Sequence, residues 1–139
     1  MGFKTANIFV NLPVKDLNKS VAFFTALGFE FNAQFTDENA TCLIIGENIY
    51  AMLLVEDYFK SFIKKEISDT TTKSEMILAL SAENREQVDE LVHKAHAAGA
   101  GHSKEAVDHG FMYGWGFEDL DGHLWEVFYM DPSAVNPTE

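Results

Sequence analysis

Two side chains near the C-terminal end have the types and spacing to do chemistry. Glu126 lies in the strand-like run Leu124–Met130, and His109 lies in Asp108-His109-Gly110, just ahead of an alternating aromatic run. A carboxylate and an imidazole can move protons or hold a metal. Asp121-Gly122 between the two runs signals a two-residue hairpin, because a type I′ turn needs positive φ at both central residues. With an even loop, Glu126 shares a face with Tyr113, Trp115 and Phe117, which puts one carboxylate on an aromatic wall. An odd loop flips that register and undoes the inference. The competing reading is a half-buried hairpin edge with Glu126 turned to water and the aromatics packed as core.

The elements that must position these residues follow from periodicity. Ala6, Ile8, Val10 and Leu12 alternate with Asn7, Phe9 and Asn11 and read as a strand closed by Pro13. Asp16 is a candidate N-cap for a helix carrying Leu17, Val21, Phe24 and Leu27, with Gly28 as its stop. Strands are expected over 29–35, 41–45 and 49–55, then a short helix around Tyr58, Phe59, Phe62 and Ile63. The polar run 68–74 reads as a linker and a flexible hinge. The pattern then repeats. It gives a strand over 76–81, a helix capped by Asn84 and Gln87 with a Val88, Leu91, Val92, Ala95 and Ala98 stripe, and a stop at Gly99. Strands over 103–107, 111–118 and 124–130 follow, and Pro132 and Pro137 mark an irregular tail.

The chain therefore reads as one α+β domain over 1–139 built of two βαβββ modules. Module one covers about 5–56, a linker about 57–73, and module two about 74–130. Helices on one face of each sheet leave the other face to be covered or to curve around something.

Composition narrows the function. The formal charge of −12 repels phosphate backbones and excludes nucleic-acid binding as the main role. No apolar run is long enough to span a bilayer, and no leader is apparent, so the expectation is a cytoplasmic protein with no membrane partner. The single cysteine, Cys42, forms no internal disulfide and reads as a small strand residue. No nucleophile elbow and no phosphate-cradling glycine loop occur. Gly114 and Gly116 flank Trp115 as sites of close backbone approach or curvature.

The segments Asn11-Leu-Pro-Val-Lys-Asp-Leu17, Phe23-Phe24, Leu27-Gly28-Phe29 and Phe117-Glu-Asp-Leu-Asp-Gly-His-Leu-Trp-Glu-Val127 resemble the vicinal oxygen chelate superfamily, the group of glyoxalase I, bleomycin and fosfomycin resistance proteins and extradiol dioxygenases. The resemblance runs from about residue 6 to residue 130. It implies paired βαβββ modules curled into half-open barrel-like sheets with helices on the outer face, commonly assembled as a dimer. It also implies four metal-ligand positions, which fall here on Phe9, Leu53 (Met52 if the register slips by one), Ile77 and Glu126. Only Glu126 matches that pattern. A catalytic zinc site typically takes three protein ligands, so a divalent metal is disfavoured and no cofactor is expected.

With that fold, parity lines the cavity with Asn7, Phe9, Asn11, Ala51, Leu53, Val55, Glu75, Ile77, Ala79, Ser81, Tyr113, Trp115, Phe117, Leu124, Glu126 and Phe128. Such a mix suits a small organic molecule with a flat apolar body and a few hydrogen-bonding or cationic groups. His123 points away from this cavity, His93 and His96 form a surface pair on the second helix, and His102 lies in a loop. Three readings follow. The first is a metal-independent small-molecule binder acting as a homodimer. The second is a lyase, isomerase or dioxygenase using Glu126 with His109 or a non-standard metal site. The third is an interaction module with a filled cavity.

Overall fold

Asp16 marks the first change of direction. Its side chain accepts a hydrogen bond from the Lys19 backbone N–H at 3.1 Å, which caps helix α1 (Leu17–Ala26) directly behind strand β1 (Ile8–Val14). The computed structural model describes residues 2–135, and the chain divides at Ile67/Ser68 into two compact units.

The first unit continues through β2 (Glu30–Asn32), a 3₁₀ turn over Ala33–Phe35, β3 (Ala40–Gly46), β4 (Ile49–Val55) and α2 (Glu56–Lys60). Its strands lie in the order β1-β4-β3-β2, with β1 parallel to β4 and the other pairs antiparallel. Pro13 lies inside β1 and does not close it, because β1 is an edge strand, where a residue without an N–H is tolerated. The expected strand over 29–35 stops at Asn32, whose side chain accepts from Gln34 N–H at 2.9 Å and turns the chain into the 3₁₀ segment. Leu12, Val14, Leu43, Ala51 and Leu53 are buried on the face that meets α1, with Phe23, Phe24 and Leu27. Cys42 is fully buried, and burial pushes its thiol up.

The second unit repeats the plan with β5 (Ile77–Ser81), α3 (Arg85–Ala97), β6 (Val107–Asp108), β7 (Met112–Glu118), β8 (Leu124–Met130) and a single turn, α4 (Pro132–Val135). The order is β5-β8-β7-β6, again with a parallel first pair. Pro132 opens α4, and Pro137 lies outside the described residues. Asn84 caps α3 by accepting from Gln87 N–H at 2.8 Å, while Gln87 Oε1 accepts from Glu83 N–H at 2.7 Å. Val88, Val92 and Ala95 of α3 are fully buried against the sheet face that carries Phe117, Trp125 and Val127. The strand expected over 103–107 is confined to Val107–Asp108, because residues 102–106 leave the edge of β7.

The hairpin between β7 and β8 overturns the even-loop expectation. Gly122 N–H bonds Asp119 C=O at 3.1 Å, and Asp119 N–H bonds His123 C=O at 3.0 Å, which leaves three residues, Leu120–Gly122, in the loop. Only Gly122 has positive φ (89°); Asp121 does not, so the turn is not type I′. It has the pattern of a type I turn followed by a left-handed glycine. Asp119 makes that loop. Its Oδ1 accepts from the N–H groups of Asp121 at 2.9 Å and His123 at 3.0 Å, and its Oδ2 accepts from the Trp125 indole at 2.9 Å. Burial raises the Asp119 carboxyl, against the pull of the His123 charge and these hydrogen bonds.

The segment read as a flexible hinge is also engaged. Thr70 donates its hydroxyl to the Asp121 carbonyl, and the Thr70 carbonyl lies 2.6 Å from where a Cβ on Gly122 would stand. Asp69 Oδ1 accepts from Thr71 N–H at 3.1 Å, closing a local turn.

Candidate functional site

The odd loop decides what faces what. Trp115 is opposite Val127, Gly116 opposite Glu126 and Phe117 opposite Trp125. Directly opposed residues share a face, so Tyr113, Trp115 and Phe117 stand on the α3 side, and Glu126 stands on the other. The aromatic wall expected around Glu126 is therefore corrected. Phe117 is core, 1% exposed and stacked on Trp125 with centroids 6.4 Å apart. Tyr113 donates to Asp89 of α3 at 2.5 Å. That bond, with burial, pushes its hydroxyl up to about 12. Trp115 meets His93 edge-on at 5.3 Å and lies 6.4 Å from His96, so these two histidines flank an indole and are not an isolated surface pair.

On the face opposite α3, a pocket of about 280 Å³ is lined by Ala79, Lys104, Val107, His109, Met112, Gly114, Glu126, Phe128 and Met130. Ala79 and Ser81 stand beside Glu126 and Phe128 in the β5–β8 register. Gly114 contributes only backbone, which opens the floor. Most of the lining is apolar, with Glu126, Lys104 and His109 as its ionisable groups, a composition common to small-molecule sites. The Lys104 ammonium is ion-paired with Glu126 Oε2. Its loop is fixed from the far face, where the Trp115 indole N–H donates to the Lys104 carbonyl at 3.1 Å. The loop comes close at Gly116, where a Cβ would lie 3.4 Å from Ser103 Oγ and 2.5 Å from the Trp125 carbonyl oxygen. His109 lies 6.1 Å from Phe111, ring over ring, on a rim held by Arg85. Arg85 donates to Asp108 at 2.7 Å and to the Gly110 carbonyl at 2.9 Å, and its guanidinium stands 5.4 Å over the Tyr113 ring. The Gly110 N–H and Arg85 together hold the Asp108 carboxyl below its usual range.

The first-unit candidates separate. Asn11 joins Met52, Leu54, Phe35, Tyr58 and Phe62 around another pocket of about 280 Å³, where α2 covers the sheet. Phe9 is 45% exposed and stacks on Tyr50 at 4.8 Å. Asn7 precedes β1 and is exposed. Leu53 is fully buried beside Leu12, and Met52 pairs with Asn11, so the one-residue slip holds; Ala51 belongs to the α1 face with Leu53. Thus Glu126, His109 and Phe128 share one pocket, while Asn11 belongs to another. Lys104 is the ionisable pocket residue that periodicity did not flag, since its partner lies 22 residues away across an irregular loop. Among the described residues, no group of three or more His, Cys, Asp or Glu side chains gathers where a metal ion could sit. No described helix is long and apolar enough to cross a membrane.

Two βαβββ units, each a mixed four-stranded sheet in the same strand order and neither closed into a barrel, define an α+β protein of paired modules. A family model of the bleomycin resistance protein-like N-terminal region matches residues 7–46. A hypothetical protein of S. aureus, SA1046, is 30% identical, with TM-score 0.77 over 91% of this chain and 95% of its own. A glyoxalase/bleomycin resistance protein/dioxygenase family enzyme of Burkholderia phytofirmans PsJN shares the fold at 19% identity, TM-score 0.73, over 88% of this chain and 96% of its own. The genomically encoded fosfomycin resistance protein FosX of Listeria monocytogenes does so at 22% identity, TM-score 0.66, over 91% and 92% of the two chains. No functionally curated protein matches the chain. The chain thus has the fold of the glyoxalase/bleomycin resistance proteins, and its residues 7–46 match the bleomycin resistance protein-like N-terminal model.

Proposed function

We propose that this is a glyoxalase/bleomycin-resistance-like protein that binds a small organic molecule, aromatic or cationic, without a metal, in the pocket over β7 and β8. The observation that carries this reading is the ion pair between Lys104 and Glu126. Glu126 is the one residue that fits the ligand pattern implied by the family, and an ammonium already neutralises it. Phe9 and Ile77 offer no lone pair, and the Met52 thioether is a soft ligand unsuited to a hard divalent ion. These residues do not fit the family's metal. The apolar lining with few polar groups supports ligand binding over a filled interaction module. The acting form in this proposal is a homodimer, as the family resemblance implies.

The test is thermal unfolding against a panel of aromatic and cationic compounds, with metal content measured on protein purified without chelator. A true ligand at a hundredfold excess over its Kd stabilises the fold by about 2.7 kcal/mol. A tightly held stoichiometric metal, or no shift from any compound, sinks the proposal.

A second reading has its own observation: His109 and Glu126 line the same pocket. It is a lyase, isomerase or dioxygenase in which Glu126 accepts a proton and His109 assists. Turnover of a panel compound that survives both Glu126→Gln and His109→Asn excludes it.

A further inference from the structure

We infer that the ligand of the second-unit pocket is a small zwitterion with an apolar body, of the apolar α-amino acid type, and this rests on the binding reading above. The Lys104–Glu126 contact engages Glu126 through Oε2. A carboxylate has two acceptor oxygens and an ammonium three donors, so both groups keep hydrogen-bonding capacity after pairing. Their side chains are 51% and 27% exposed, so both reach the pocket space.

The pair therefore presents one donor patch and one acceptor patch side by side. A ligand carrying both charges can lie antiparallel to it, with its ammonium on Glu126 and its carboxylate on Lys104, and keep all four groups paired. A ligand with a single charge satisfies one protein group and repels the other. It also draws its partner out of the existing pair and leaves a charge without compensation. Val107, Met112, Phe128 and Met130 provide the apolar surface for the ligand body. Two thioethers among them adapt to bodies of different shape. A volume of about 280 Å³ lies just below the usual range of ligand pockets and suits a molecule of amino-acid size. Trp115 fixes the Lys104 carbonyl, so the backbone that carries the cationic half of the site is held in place before the ligand arrives.

The experiment is calorimetric titration of the full chain with matched sets: leucine, methionine and phenylalanine, each beside its decarboxylated amine, its deaminated acid and its neutral N-acetyl amide. At least one amino acid is expected to bind about ten times more tightly than its three analogues, since each analogue loses a charge-assisted hydrogen bond. Lys104→Met should bring the amino acid to near parity with its amine, and Glu126→Gln to near parity with its deaminated acid, while unfolding remains cooperative. Equal or tighter binding by an amine, acid or amide overturns the zwitterion assignment and leaves the binding proposal standing. Binding by none of the sets overturns the zwitterion assignment, and the broader aromatic and cationic panel then decides the binding proposal separately.

Discussion

The Trp115 indole N–H donates to the Lys104 backbone carbonyl at 3.1 Å, so a side chain from the α3 face of the second sheet fixes the loop whose ammonium reaches Glu126 on the opposite face. The two faces are coupled at the sheet edge, where residues 102–106 swing away from β7. Trp115 is thus a positioning residue for the pocket and not part of its wall.

Trp115→Phe keeps an aromatic ring, though a smaller one, and removes the donor. Stability is expected to fall by about 0.5–1.5 kcal/mol. Amide exchange at residues 103–105 should accelerate while α3 stays protected. Unchanged exchange in that loop would show that the indole does not hold it.

Gly116→Ala and Gly114→Ala separate fold from pocket. A Cβ at Gly116 meets the Trp125 backbone oxygen at 2.5 Å, and a strand carbonyl cannot swing away as a side chain does. The expected cost is about 1–3 kcal/mol. At Gly114 the nearest atoms lie 3.8 Å off, an ordinary contact, so stability should hold while the added methyl reduces ligand binding. Urea denaturation and ligand titration of both variants check this. Equal stability of the two variants would refute the crowding argument.

Tyr113 gives an alkaline signature. Its hydroxyl ordinarily titrates at 10.0 and is pushed up to about 12, chiefly by its bond to Asp89 and then by burial. Between these values the unfolded chain releases the proton and the folded chain keeps it. The stabilisation is therefore complete below pH 10 and is lost as pH rises through about 12. Comparing the urea midpoints of wild type and Tyr113→Phe across that window should give a difference that shrinks with rising pH. A constant difference would sink the assignment.

Asp119→Asn tests the turn. An amide can keep one carbonyl oxygen for the N–H groups of Asp121 and His123, but then its NH₂ faces the Trp125 indole N–H, donor against donor. An unsatisfied buried donor costs about 1–3 kcal/mol. Thermal unfolding of the variant measures it, and an unchanged Tm would mean that the turn closes without this side chain.

Periodicity made most of the fold legible. The α1 and α3 caps at Asp16 and Asn84, the bounds of β4 and β8, and the repeated strand–helix–three-strand plan all rest on local rules that the sequence carries directly. The site was less legible for a specific reason. Asp121-Gly122 fits both a two-residue and a three-residue loop, and the choice depends on Asp119 folding its carboxylate over the turn, a contact that no alternation pattern reports. That one-residue difference moved Tyr113, Trp115 and Phe117 off the Glu126 face. Lys104 was hidden for a related reason: its loop has no period, and its partner is remote in sequence. Asn7, Phe9 and Asn11 were grouped by parity, yet only Asn11 lines the first-unit pocket, because α2 covers part of that sheet.

Thr70, clasped to the hairpin at Asp121 and Gly122, redraws where the second half of the chain begins as a transplantable piece. An excision starting at residue 74 strands the β7–β8 turn without its clasp, whereas one starting at Ser68 carries it along. A recombination event, natural or engineered, that exchanges halves among such proteins should therefore leave viable products when it breaks the chain ahead of Ser68, and crippled ones when it breaks after Thr70, within 71–73.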